Sequence, residues 1–173
     1  MMKSNDVSDI PELIEMLQQE AVEKYKKEHG WIPITERMPK EEEYILVSFE
    51  NYTLPDIGRY ENDGSDKFYP GDDEETYASY GLIVNAWMPL PEPYKGSEKM
   101  NNNWIPTEER LPDQREFIES YVRSAYAAEF LVTIEGAEKA TTLYYSQTGA
   151  WFDEQGDLYK VIAWMPLPEA FKG

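Results

Sequence analysis

The 173-residue chain contains no cysteine. A disulfide framework, a thiolate nucleophile and a cysteine-ligated zinc site are therefore all excluded. Histidine is almost as scarce: His29 stands alone, and without further imidazoles the common catalytic triads and transition-metal sites have no material. His29 adjoins Gly30 and is read as a partner for helix-terminal carbonyls. No cofactor is expected. The opening MMKSNDVSDI lacks the apolar stretch of a signal peptide and no hydrophobic run reaches membrane-spanning length, so the chain reads as soluble and cytoplasmic. Basic residues are few, 16 against 34 acids, for a net charge of −18. Such a field repels phosphate backbones and anionic membranes and favours basic partners. Mimicry of a nucleic acid surface and a merely solvated face are both compatible with it.

What the chain does hold, it holds twice. WIPITERMP from Trp31 is answered by WIPTEERLP from Trp104, and AWMPLPEPYKG at 86–96 by AWMPLPEAFKG at 163–173. A repeated start and end make two copies of one small module. The resulting division is an N-terminal helix at 1–30, a first module at 31–96, a linker at 97–103 and a second module at 104–173. Units of this size have marginal cores alone, so the copies should pack on each other or on the N-terminal helix. In that helix Ile10, Leu13, Ile14, Leu17, Ala21 and Tyr25 form one apolar stripe, which is also a candidate surface for homo-oligomerisation.

Each module opens with an extended Trp-Ile-Pro segment, because Pro33, Pro39, Pro106 and Pro112 exclude regular helix. Strands are predicted at 44–50 and 129–135, then 56–61 and 140–146. Short return strands at 67–69 and 150–152 follow turns ending in Gly64 and Gly149, where a tight hairpin needs positive φ. Strands at 82–87 and 158–164 close each sheet, giving mostly meander modules. The fold class expected is α+β, mainly antiparallel β, with the N-terminal amphipathic helix and one inserted helix. That inserted helix, of about three to four turns within 113–128, rests on the spacing of Phe117, Ile118, Tyr121, Val122 and Tyr126. The first module carries its own insertion, PGDDEETYASYG at 70–81.

The opening and closing blocks resemble the domain-of-unknown-function 551 family, met mostly in bacteriophages, prophages and gut bacteria as a single short module. The resemblance covers 31–95 and 104–172. It implies a phage or mobile-element origin and carries over no activity and no catalytic residue.

Candidate sites follow from the residues themselves. Asp72, Asp73, Glu74 and Glu75 form a dense acidic loop without the spacing of an EF-hand. Tyr77, Tyr80, Tyr121 and Tyr126 lie in the two insertions, and tyrosine is enriched where proteins bind one another. These eight are the candidate partner-binding residues. Arg37 and Arg110 occupy matching positions. Each either pins its module shut by pairing with Glu92 or Glu169, or binds a ligand. Trp31, Trp87, Trp104 and Trp164 are read as junction packing, with stacking on a nucleobase or peptide as the alternative. The expected function is non-enzymatic: a phage-derived counter-defence inhibitor that binds a host protein through an acidic, tyrosine-rich face. The alternative is a sponge that sequesters a small nucleotide-like signal in an arginine and aromatic pocket, and a carboxylate-only enzyme is a third reading.

Overall fold

The computed structural model describes residues 30–62, 64, 67–96, 103–119, 121–124 and 127–173, together with Met16. Apart from Met16, the expected N-terminal helix lies outside the described residues, as do His29 and Tyr126. Among those described, the chain is mainly antiparallel β, arranged as two sheets. No helix among them is long and apolar enough to cross a membrane.

The first sheet comprises β1 (Ile32–Pro33), β2 (Tyr44–Phe49), β3 (Asp56–Glu61), β4 (Lys67–Pro70) and β5 (Val84–Pro89). The second comprises β6 (Ile105–Pro106), β7 (Tyr121–Ser124), β8 (Ala127–Ile134), β9 (Thr141–Ser146), β10 (Trp151–Phe152) and β11 (Val161–Pro166). The strand order β1-β5-β2-β3-β4 is repeated as β6-β11-β8-β9-β10, with β7 added against β8. Strands two to four of each module are a meander, as expected. The closing strand departs from it, crossing to the far side of β2 or β8 instead of pairing with the short return strand. The register gives the reason: Ile32, Trp87 and Val47 align across β1, β5 and β2, and Ile105, Trp164 and Val132 align in the second sheet. Pairing there puts the repeated tryptophan in the middle of the core.

The central strands read as continuous apolar runs because both faces are covered. Ile45, Val47 and Phe49 point into an aromatic core with Tyr60, Phe68, Tyr77 and Trp87. Phe130 and Val132 do the same with Leu143, Tyr145, Trp151 and Trp164. The alternate residues Leu46 and Leu131 meet in a third cluster with Trp104, Ala163 and Met165, against which Trp31, Met88, Leu90, Tyr94 and Leu167 pack. This third cluster joins the modules, so the copies pack on each other.

The proline-rich tails complete the junction by exchange. Trp31 of the first module donates its indole N–H to the Glu169 carbonyl in the second module's tail, at 2.7 Å. Trp104 of the second donates to the Glu92 carbonyl in the first module's tail, at 2.9 Å. Ser48 and Thr133, both fully buried, accept the backbone N–H of Phe171 and of Tyr94, each at 2.9 Å. A buried hydroxyl needs such a partner, and here the partner always comes from the other module.

The inserted segment of the second module corrects the sequence expectation. Among its described residues only Gln114–Glu119, here α1, is helical, and Tyr121–Ser124 is a strand paired with the start of β8. Tyr121 and Val122 favour strand, and the start of β8 offers unpaired backbone groups. A single further turn of helix could not compete with that ladder.

Candidate functional site

The acidic loop of the first module is held from beneath. Thr76 caps a short 3-10 helix, Tyr77–Tyr80, by accepting the Ser79 N–H, and Gly81 ends it at φ 75°. Tyr77, expected at the binding surface, is only 1% exposed and belongs to the core. Its hydroxyl donates to Asp56 at 2.9 Å and lies 3.1 Å from the Ile57 carbonyl. Burial, then the neighbouring Asp56 charge, push its phenol far above the ordinary range. The cause of this correction lies in β3. A Cβ built on Gly58 would come within 2.8 Å of the Tyr77 ring and 2.7 Å of the Tyr69 carbonyl. Gly58 thus opens the space that Tyr77 fills, and a glycine inside a strand pattern was the signal for such close approach.

Above this anchor the loop faces solvent. Asp72, Asp73, Glu74 and Glu75 are exposed, as is Tyr80, at 56%. Asp73 accepts the Glu75 N–H at 3.1 Å and the Tyr80 hydroxyl at 2.8 Å. Those two bonds hold its carboxyl below the usual range, while the same carboxylate raises the Tyr80 phenol. Asp72 accepts the hydroxyl of Tyr44, and Lys139 of the second module sits 4.5 Å over the Tyr44 ring. Of Tyr121 only the backbone, in β7, is described.

A similar clasp in the second module escaped the sequence reading. Asp153 accepts the N–H groups of Gln155 and Asp157 and, at 2.7 Å, the hydroxyl of Tyr159. Leu158 beside it is 74% exposed. An aspartate followed six or seven residues later by tyrosine, after the return strand, marks both loops.

Arg37 and Arg110 take equivalent positions, but not with the carboxylates expected. Glu92 and Glu169 pair instead with Lys95 and Lys172, each at 3.6 Å. The tails that carry them turn toward the opposite module, where their carbonyls serve Trp104 and Trp31. Each arginine lies over its module's closing tryptophan instead, Arg37 at 5.4 Å from the Trp87 ring and Arg110 at 4.9 Å from that of Trp164. The indole N–H of that tryptophan donates to the arginine's own carbonyl, at 2.7 and 2.9 Å. Ring and backbone thereby fix where each guanidinium stands.

Two grooves of about 770 and 610 Å³ run beside the tails. The first lies between Arg37, Trp87, Pro89–Pro93 and the second module's turn at Glu138–Ala140. The second lies between Glu116, Pro166–Lys172 and the first module's turn at Phe49–Leu54. In each a tail lies against the other module's turn, but Arg37 and Trp87 line the first, whereas Glu116, and neither Arg110 nor Trp164, lines the second. In the second module Glu116 grips Arg110 with both oxygens, at 2.7 and 2.8 Å. Asp113 and Glu116 also form a capping box on α1. In the first module no insertion follows Arg37, and among the described residues it has no carboxylate partner. No group of three or more histidine, aspartate or glutamate side chains among the described residues is placed to hold a metal ion.

Two small antiparallel sheets of identical strand order, each completed by the other's tail, define a tandem duplicate of one β module. Its sequence matches the model of a family described as protein of unknown function (DUF551) twice, over residues 30–95 and 103–171. The chain belongs to that family and carries two copies of its domain. No curated protein and no solved structure matches it.

Proposed function

We propose that the protein is a non-enzymatic binding protein that engages a basic protein partner through the loop Gly71–Tyr80. The observation that carries this reading is the Tyr77 anchor. A tyrosine buried beneath an otherwise exposed acidic loop holds four carboxylates and the Tyr80 ring in one presentation, which lowers the ordering cost of binding. The net charge of −18 steers a basic partner toward it. We read that partner as a bacterial host protein and the role as counter-defence, in keeping with the phage origin that the family resemblance implies.

The test compares proteins captured from bacterial lysate by the wild-type chain, by a variant with Asp72, Asp73, Glu74 and Glu75 amidated to Asn and Gln, and by Tyr80→Ala. One partner should be retained by wild type, weakened by both variants and released as salt is raised. Equal capture by all three proteins, or capture indifferent to salt, removes the acidic loop from the function.

A further inference from the structure

Arg110 and Arg37 are one residue in two copies of a module, seated on the same tryptophan, with the same carbonyl tied to the same indole. In one copy the chain shows what the seated guanidinium binds: the carboxylate of Glu116, taken by both oxygens and delivered by a short helix. In the other copy the groove stands open and the guanidinium has no acid among the described residues. We propose that the groove at Arg37 is a carboxylate-binding site, which takes an acidic side chain from a partner's peptide segment in the fork that Arg110 gives to Glu116.

The surroundings suit such a segment. Trp87 and Leu90 give the groove apolar lining, and Lys40 and Lys139 line it as well. Pro89, Pro91 and Pro93 edge the groove with backbone that has no N–H to satisfy. Arg37 lies on the ring face of Trp87, and the stacked, planar fork suits a carboxylate held bidentately. Glu42, Glu43, Glu92 and Glu138 also line the groove. Glu43 and Glu92 are engaged by Lys40 at 3.4 Å and Lys95 at 3.6 Å. Arg110 holds its carboxylate while the charges of Glu109 and Asp113 also act on it, so neighbouring acids do not prevent this fork from closing. The site is independent of the acidic loop: it recognises an acid, where the loop recognises bases.

The chain supplies its own probe. A capped peptide copying residues 112–119, PDQREFIE, is titrated into the full-length, nitrogen-15-labelled protein while the tryptophan indole N–H resonances are followed. The Trp87 resonance should shift saturably and that of Trp164 should stay. Arg37→Gln in the protein, or Gln in place of the peptide's Glu116 equivalent, should weaken binding about tenfold or more, as loss of a charge-assisted bidentate bond does. Glu116→Ala in the protein should free Arg110 and give Trp164 the same response. The unperturbed tryptophan in each spectrum reports that the variant is folded. No shift of Trp87, a shift that survives either glutamine substitution, or a freed Arg110 that does not respond would overturn the proposal. A Trp87 response to inorganic phosphate at lower concentration than to the peptide would also overturn it, in favour of a phosphorylated ligand.

Discussion

The two modules share a frame and differ in what fills it. At the position where β9 places Leu143 opposite Phe130, β3 places Gly58 opposite Ile45. The second module fills the space from within the strand, whereas the first fills it with Tyr77 from its insertion. One pair further along, Arg59 over the Tyr69 ring at 4.7 Å stands where Tyr144 meets Phe152 at 5.7 Å. The same exchange recurs at the grooves, with Arg110 closed by Glu116 and Arg37 open. Both copies keep the same positions, and in the core each fills them with its own side chain. The insertions, which look like additions to a finished module, are built into it: one supplies a core side chain, the other the partner of an arginine.

The largest effect should come from breaking that difference in β3. Tyr77→Ala empties the space above Gly58 and should cost about 3–5 kcal/mol. Gly58→Leu, which imposes the second module's solution, should by itself cost about 1–3 kcal/mol through overpacking. The double variant should lose less than the sum, with a coupling of about 0.5–3 kcal/mol measured by urea denaturation. Recovery should be incomplete, since the added Cβ still meets the Tyr69 carbonyl. Strict additivity would show that the two residues do not share one space.

A smaller effect should follow at the exchanged tails, where the modules are alike. Ser48→Ala and Thr133→Val each remove the acceptor for one backbone N–H of the opposite tail and should cost about 1 kcal/mol. Hydrogen exchange should then rise at the amide of Phe171 in the first variant and of Tyr94 in the second. Exchange rising in the variant's own module instead would contradict the crossed arrangement.

The smallest effect belongs to the ion pair that only the second module has. Arg110 is 43% exposed, so Glu116→Gln should cost no more than about 0.2–1 kcal/mol at neutral pH. The Arg110 guanidinium holds the Glu116 carboxyl below its ordinary value of 4.5. A depressed folded-state value gives stability that is present above the unfolded-state value and lost as pH falls through the folded one. Wild type and Glu116→Gln should therefore differ at pH 7 and converge in acid, as read from melting temperature against pH. A gap that persists at low pH would mean the residue acts through packing or helix capping.

Repetition of the tryptophan and proline blocks made the two copies legible, and continuous apolar runs made the central strands legible. Gly64 and Gly149, at φ 92° and 89°, sit where the hairpins were expected. Local pattern failed where a long-range partner decided the outcome. The spacing of Phe117 to Tyr126 is helical, but the start of β8 drew Tyr121–Ser124 into the sheet. Tyr77 and Tyr80 are neighbours in a polar loop, and only the vacancy over Gly58 separates the buried one from the exposed one. The arginines were legible as a pair, but their tryptophan seats and their unequal carboxylate supply were not, since Glu116 had been read only as part of a helix.

The amino-acid sequence alone determined that there are two copies of one module and which residues form their central strands. Those properties depend on short-range patterning and on repetition, which a chain displays in one dimension. The tertiary structure alone decided that each tail completes the other module, that Tyr77 is core, and that one arginine is occupied and its twin open. Each of those outcomes depends on which distant group reaches a space or a buried polar atom first, and no local pattern carries that information.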